Sequence, residues 1–169
     1  MIFRQAEMSD IPQIMVITAR GIASLKEQGS PQWQDGYGPT QSQIEQDIKK
    51  GAAYVLEDGK ITAYAALISG KDPVYTAIEE GNWSGTQPYV SIHRVVVDSS
   101  LTGNGLAKKM LLHLLAVSQQ SGFNDIRIDT YPLNIGMQKA IKKAGFVYRG
   151  KVNFPIPHGD RWAYQYLAK

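Results

Sequence analysis

Residues 95 to 109 read VVVDSSLTGNGLAKK: an apolar run, a polar link, two glycines one residue apart, and a helix-compatible stretch with two lysines. A glycine-rich loop that opens a helix presents unpaired backbone N–H groups at the positive end of the helix dipole. That is a pre-formed anion site, and phosphate is its usual occupant. Gly103 and Gly105 permit positive φ and a close approach of backbone to ligand. Lys108 and Lys109 fall in the first turn, where a cation is mildly unfavourable until an anion arrives. Taken alone, the loop reads equally well as a turn with solvated lysines. Two familiar phosphate motifs fit poorly. No GxxxxGK[ST] run exists, and the GxGxxG pattern fails because GNGLAK ends in Lys108. Asp125 lies at a ribose-contact spacing downstream, but the loop falls mid-chain after a hairpin, unlike a dinucleotide fold.

The elements that must position this loop follow from periodicity. MIFRQA reads as a strand, and Ser9 or Asp10 then caps a helix carrying Pro12 in its first turn and ending near Gln28 and Gly29. Ile11, Ile14, Met15, Ile17 and Ile22 form its apolar face. A loop with Trp33 and Tyr37 leads to a compact helix between Thr40 and Gly51. Residues 52 to 69 form a hairpin about Asp58-Gly59. A longer connection carrying Tyr75 and Trp83 precedes the strand YVSIHRVVV, whose continuous apolar end predicts burial on both faces. A helix over 104–121 buries Leu106, Met110, Leu111, Leu114, Leu115 and Val117. DIRIDTY is the next strand, parallel to the valine strand because a helical crossover joins them. A short helix runs from about Asn134 to Gly145, and FVYRGKV and RWAYQYLA are the last strands. The order β-α-α-β-β-β-α-β-α-β-β predicts a mixed α/β domain with one central βαβ crossover.

Composition narrows the chemistry. A chain of 169 residues with 43% hydrophobic and 20% charged residues predicts one globular domain, residues 1–169, that needs no staple. Zero cysteines remove a disulfide framework, a thiolate zinc site and a cysteine acyl-enzyme. Three scattered histidines argue against a metal site. The net charge of +3, with lysines only in pairs, argues against nucleic acid. No signal-peptide pattern and no run of ~18 apolar residues is present, which predicts a cytoplasmic protein without a membrane partner.

At this point the chain resembles a family. HRVVVDSSLTGNGLAKKML followed by NIGMQKAIKKAGF is similar to the GCN5-related N-acetyltransferase (GNAT) superfamily, in its small bacterial branch, and the likeness spans essentially the whole chain. The family's [R/Q]xxGx[G/A] signature meets TGNGLA, with Thr102 in place of the Arg or Gln. Asn134, Gly145 and Phe146 match the second block. The resemblance implies a twisted mixed sheet of about six to seven strands with four helices and a splayed parallel βαβ core. It implies acetyl-CoA as cosubstrate, with no metal. Backbone groups along Val95, Val96 and Val97 would pair with the pantetheine arm. Thr102, Gly103, Asn104, Gly105, Leu106, Ala107 and Lys108 would hold the pyrophosphate, and Asn134 would reach the pantetheine or ribose side.

Acetyl transfer to an amine needs a base, a polarised thioester carbonyl and an acid for the leaving thiolate. Many family members place that acid as a tyrosine four residues before the GF glycine, where this chain has Ile141. Tyr131, at the end of the strand flanking the slot, is the substitute candidate and reads also as a packing aromatic. His93, two residues before Val95 on the same strand face, is a candidate base, or a buried histidine satisfied by a backbone carbonyl. Arg94 faces the other side and reads as structural; His113 and His158 read as surface residues. Trp33, Tyr37, Tyr75 and Trp83 wall the acceptor site or cap the sheet edge, with Asp35, Glu79 and Glu80 available to attract an amine. The expectation is direct acetyl transfer from acetyl-CoA to a primary amine of a small molecule or peptide, by a monomer or homodimer. The rival is a non-catalytic acyl-CoA-binding sensor, which Ile141 favours.

Overall fold

The computed structural model describes residues 1–169, with strands β1 (Ile2–Gln5), β2 (Ala53–Glu57), β3 (Ile61–Ser69), β4 (Val90–Val97), β5 (Asp125–Thr130), β6 (Val147–Asn153) and β7 (Asp160–Leu167). The helices are α1 (Ile11–Glu27), α2 (Gln41–Lys49), α3 (Pro73–Thr76), α4 (Leu106–Gln120) and α5 (Ile135–Lys143). The strands hydrogen-bond in the order β1-β2-β3-β4-β5-β7-β6. Within it, β4 and β5 pair parallel and the neighbours β1–β2, β2–β3, β5–β7 and β6–β7 pair antiparallel. A mixed α/β fold with seven strands follows, as expected. The expectation of four helices is corrected to five: Asp72 accepts the N–H of Val74 at 3.0 Å and Pro73 occupies the first helical position, so a single turn forms inside the long connection.

The chain divides into two compact units, Met1–Leu67 with Arg94–Met110, and Ile68–His93 with Leu111–Lys169. In the first, α1 buries Ile11, Ile14 and Ile17 in a core with Ile44, Val55, Ile61, Tyr64 and Val96. Each fully buried aliphatic side chain contributes about 1.5–3 kcal/mol before entropy is counted. Asp10 stands at the N-cap of α1, yet its carboxylate serves other donors: Arg4 at 2.8 and 2.9 Å and the N–H of Glu7 at 2.8 Å. Thr40 caps α2 through the N–H of Gln43, whose side chain accepts in return from the Thr40 N–H. The hairpin turns at Gly59, with φ 69°, and carries a bulge at Leu56/Glu57.

In the second unit, Tyr75, Tyr89, Val152 and Ala163 form the core, with Val74, Ile78, Trp83 and Phe154 against it. The long connection is tied down by Gln165. Its Nε2 donates to the Ser84 carbonyl at 2.9 Å and to Asp125 Oδ1 at 3.0 Å, and its Oε1 accepts from the Ser84 N–H at 3.0 Å. Arg127 pairs with Asp125 at 2.9 Å, and its guanidinium lies over the rings of Trp83 (4.4 Å) and Tyr89 (3.8 Å). A polar residue of β5 thereby anchors two aromatics of the connection. No helix is long and apolar enough to cross a membrane.

Candidate active site

In the first unit the loop after β4 is built from its own side chains. Asp98 Oδ1 accepts from the N–H (3.0 Å) and the hydroxyl (2.8 Å) of Ser100, and its backbone N–H donates to the Thr62 carbonyl at 2.8 Å. Burial alone would push the Asp98 carboxyl up. The Ser100 bonds, with Arg20 at 3.3 Å and Lys60 at 3.7 Å, reverse that and hold it below the usual carboxylate range. The Thr102 hydroxyl donates to the Ser99 carbonyl at 2.7 Å and the Asn104 amide to the Leu101 carbonyl at 2.9 Å. Both side chains knit the loop rather than reach outward.

Gly103 and Gly105 take φ of 87° and 65°, and a Cβ built on either meets nothing within 4 Å. Glycine is needed there for backbone conformation, and the space beside it is open. Thr102 to Gly105, Lys108 and Lys109 are exposed, whereas Leu106 is buried and seats the first turn of α4. That turn holds no acidic residue. The result is an exposed helix start with two exposed lysines and no acidic residue in its first turn, a setting that favours an anion.

The strand leading into the loop departs from expectation. Only Val96 is buried, in the first-unit core, while Val95 and Val97 are half-buried. The parallel ladder of β4 with β5 covers Val90 to Ile92. Arg94 then takes φ 54°, which breaks the strand's alternation, so His93 and Val95 do not share a face by simple period-two counting. Arg94 is structural, as expected: it forms a two-pronged pair with Asp47 at 2.9 and 2.6 Å.

The second unit gathers the titratable groups. His93 Nε2 stands 3.1 Å from Asp72 Oδ2, and its Nδ1 stands 3.8 Å from Asp129 Oδ2. The partners are carboxylates, not a backbone carbonyl. The His93 hydrogen bond holds the Asp72 carboxyl below its ordinary value, whereas burial pushes the Asp129 carboxyl up. The Tyr75 hydroxyl donates to Asp129 Oδ2 at 2.6 Å, and burial drives that phenol well up. Arg161 Nε approaches Asp129 Oδ1 at 3.8 Å. Asp72 is itself fixed, its backbone N–H donating to the Tyr89 hydroxyl at 2.6 Å and its Oδ1 capping α3. A carboxylate only accepts, so in the contact at 3.1 Å it is Nε2–H that donates to Asp72, and Nδ1 makes only the longer approach to Asp129.

Tyr131 is 7% exposed; its ring lies 5.2 Å from the Arg161 guanidinium, and burial raises its phenol. Asn134 caps α5 through the Met137 N–H at 3.1 Å. Ile141 is fully buried. Of the four aromatics, Tyr75 belongs to α3 and is fully buried, and Trp83 donates from Nε1 to the Tyr75 carbonyl at 2.7 Å with ring centroids 5.2 Å apart. Tyr75 belongs to the core of the second unit with its ring centroid 5.5 Å from that of His93, and Trp83 packs half-buried against that core. Trp33, at φ 63°, packs on the first-unit core, and Tyr37 is exposed. Glu80 pairs with Lys151 at 2.8 Å, and Glu79 bridges to β6 at the same residue. Asp72 and Asp129 escaped sequence reasoning. The Asp72-Pro73 pair is a helix-start signal for one; the other carried no signal.

No curated protein matches the chain. The acetyltransferase (GNAT) family matches over residues 21–146. An acetyltransferase of the GNAT family from Streptococcus agalactiae is 35% identical, with a TM-score of 0.88 over 99% of this chain and 95% of that one. A putative acetyltransferase from Staphylococcus aureus superposes with a TM-score of 0.75 at 24% identity, covering 100% of both chains. A putative acetyltransferase from Salmonella typhimurium, solved with its cofactor acetyl-CoA, has a TM-score of 0.69 at 18% identity over 99% of this chain and 94% of that one. The lower-identity pair supports the fold; the family match and the Streptococcus relative carry the assignment. This chain belongs to the acetyltransferase (GNAT) family.

Proposed function

We propose that residues 1–169 form one acetyltransferase domain that transfers an acetyl group from acetyl-CoA directly to a primary amine of a small molecule or peptide, in the cytoplasm, as a monomer or homodimer. The observation that carries this reading is the exposed start of α4 behind two left-handed glycines, in a chain of this family. Acetyl-CoA supplies the activated acetyl thioester. The backbone along Val95 to Val97 holds the pantetheine arm, and the N–H groups of Gly103 to Lys108 hold the pyrophosphate, with Asn134 on the same cosubstrate. Without cysteine, the chain offers no thiol to carry the acetyl group, which supports direct transfer, the usual chemistry of the family.

His93 accepts the proton of the incoming amine, directly or through water, at Nδ1, while Asp72 holds the ring through Nε2. Tyr131 is the acid for the departing thiol, in the role that Ile141 cannot fill. Trp33, Tyr37, Tyr75 and Trp83 shape the acceptor side, the buried Tyr75 acting through its support of His93 and Asp129. A second reading, a non-catalytic acyl-CoA sensor, is favoured by the full burial of Ile141 where the usual acid stands.

Isothermal titration with acetyl-CoA, with CoA, ATP and NAD as controls, tests the cosubstrate half. An amine-library screen by thiol release then separates enzyme from sensor: binding with no turnover supports the sensor, and no binding to either CoA species sinks both readings.

A further inference from the structure

A residue other than glycine at φ 54° in mid-strand needs something to hold it, because an extended arginine is the lower-energy choice. Two side chains of the first unit, Asp47 and Tyr64, converge on Arg94. Its Nε donates to Asp47 Oδ2 at 2.9 Å and its terminal nitrogen to Asp47 Oδ1 at 2.6 Å. The Tyr64 hydroxyl donates to the same Oδ2 at 2.6 Å. Asp47 is 3% exposed and Tyr64 fully buried, so the pair sits where water screens it little. Asp47 comes from α2, Tyr64 from β3 and Arg94 from β4. The planar guanidinium fork meets the carboxylate in one geometry only, which fixes the arginine's direction as well as its distance.

The kink it fixes lies immediately before Val95. Because strand side chains alternate, relaxing Arg94 to extended backbone turns every following residue to the opposite face. Val96 would leave the core it now shares with Ile14 and Tyr64, and Val95 and Val97 would no longer stand half-open. We propose that Asp47 and Tyr64 clamp Arg94 in its left-handed conformation and are thereby positioning residues for the cosubstrate strand, setting which backbone groups of Val95 to Val97 face the pantetheine arm. This rests on the acetyl-CoA reading above.

The test titrates the full chain and its variants with acetyl-CoA by calorimetry and records each melting temperature. Asp47→Asn and Arg94→Ala should each weaken binding by about tenfold or more, a shift of the size one lost charge-assisted pair produces. Arg94→Gly should recover most of that loss, since glycine adopts positive φ without a clamp. Its melting temperature should stay well below that of the wild type, because the ion pair is still gone, so that affinity recovers further than stability does. The double variant Asp47→Asn/Arg94→Gly leaves no buried charge unpaired, and should bind as well as Arg94→Gly alone. A merely structural role predicts that affinity follows melting temperature, with no recovery by glycine. If Asp47→Asn fails to fold, the comparison of Arg94→Ala, Arg94→Gly and the double variant decides the matter. Wild-type affinity in a folded Asp47→Asn or Arg94→Ala, or equal weakness of Arg94→Ala and Arg94→Gly, overturns the clamp alone. No binding by the wild-type chain overturns the acetyl-CoA reading itself, and this inference with it.

Discussion

Replacing Gly105 separately by Glu and by Gln tests the phosphate cradle with its own control. Both side chains must adopt φ 65°, at a strain of about 1–2 kcal/mol, and neither meets an atom within 4 Å of its Cβ. Both variants should therefore fold, with melting temperatures lowered by about 2–8 °C. They are near-isosteric and differ by one negative charge. Two unit charges 4 Å apart interact by about 1 kcal/mol in bulk water and about 4 kcal/mol near a protein surface. Taking about 2 kcal/mol for this exposed loop, Glu should bind acetyl-CoA roughly 30-fold more weakly than Gln. Calorimetric titration reads the ratio directly, and raising the salt to ~1 M should shrink it, since the screening length then falls to about 3 Å. Equal affinity of the two variants at low salt would refute the reasoning: no phosphate then lies beside residue 105, and the loop is a turn between strand and helix.

The remaining predictions probe the second unit and its chemistry. Asp72 has its folded pKa lowered by the His93 hydrogen bond. Its stabilisation is present above the unfolded value near 3.8 and is lost as pH falls through the folded value, so Asp72→Asn should flatten the acid limb of a stability–pH curve measured by urea melts. Asp129 has the opposite sign. With a folded pKa raised by burial, its contribution is complete below the unfolded value and fades as pH rises through the folded one. Asp129→Asn should accordingly remove a loss of stability on the alkaline side of that window in the same melts. The hydroxyl of Ser91 is buried without a hydrogen-bond partner, so Ser91→Ala should change stability by no more than about 1 kcal/mol, toward greater stability, by denaturant midpoint. Tyr131→Phe should lower turnover on an accepted amine by at least about tenfold with acetyl-CoA affinity unchanged; unchanged turnover leaves Tyr131 a packing residue.

What the sequence disclosed depended on whether residue type alone carries the conformation. Gly103 and Gly105 announce left-handed backbone because few other residues adopt it, and the strand-loop-helix around them was readable for the same reason. The Asp58-Gly59 turn and the Thr40 cap were legible on similar grounds. Arg94 is the opposite case. Arginine in a β-prone run gives no hint of φ 54°, and the clamp that imposes it arrives from Asp47, 47 positions away. An apolar triplet such as Val95 to Val97 predicts burial on both faces, but the ladder with β5 stops at Ile92 and only Val96 is buried. The full burial of Tyr75 depends on the short α3, which a four-residue turn inside a long connection does not announce.

The two aspartates beside His93 show why the site's chemistry was less legible than its fold. They lie far from it in sequence, Asp72 by 21 positions, and only the tertiary structure makes them unequal. Asp72 is partly open, caps a helix turn and accepts from the imidazole, which together favour its ionised form. Asp129 is enclosed, and desolvation favours its neutral form despite the bond from Tyr75. An imidazole between two equal carboxylates would be held at both nitrogens. Between these two it is held through Nε2 at 3.1 Å and meets Asp129 through Nδ1 only at 3.8 Å. The asymmetry comes from burial, so, with His93 in its proposed role as base, moving charge onto the Asp129 side should lower turnover before it costs the fold. Asp129→Glu, which keeps the carboxyl but pushes it toward the ring, should lower turnover more than Asp129→Asn does. If the asparagine variant is the more damaged of the two, Asp129 is an ionised partner of His93 and the division of labour argued for the two aspartates is wrong.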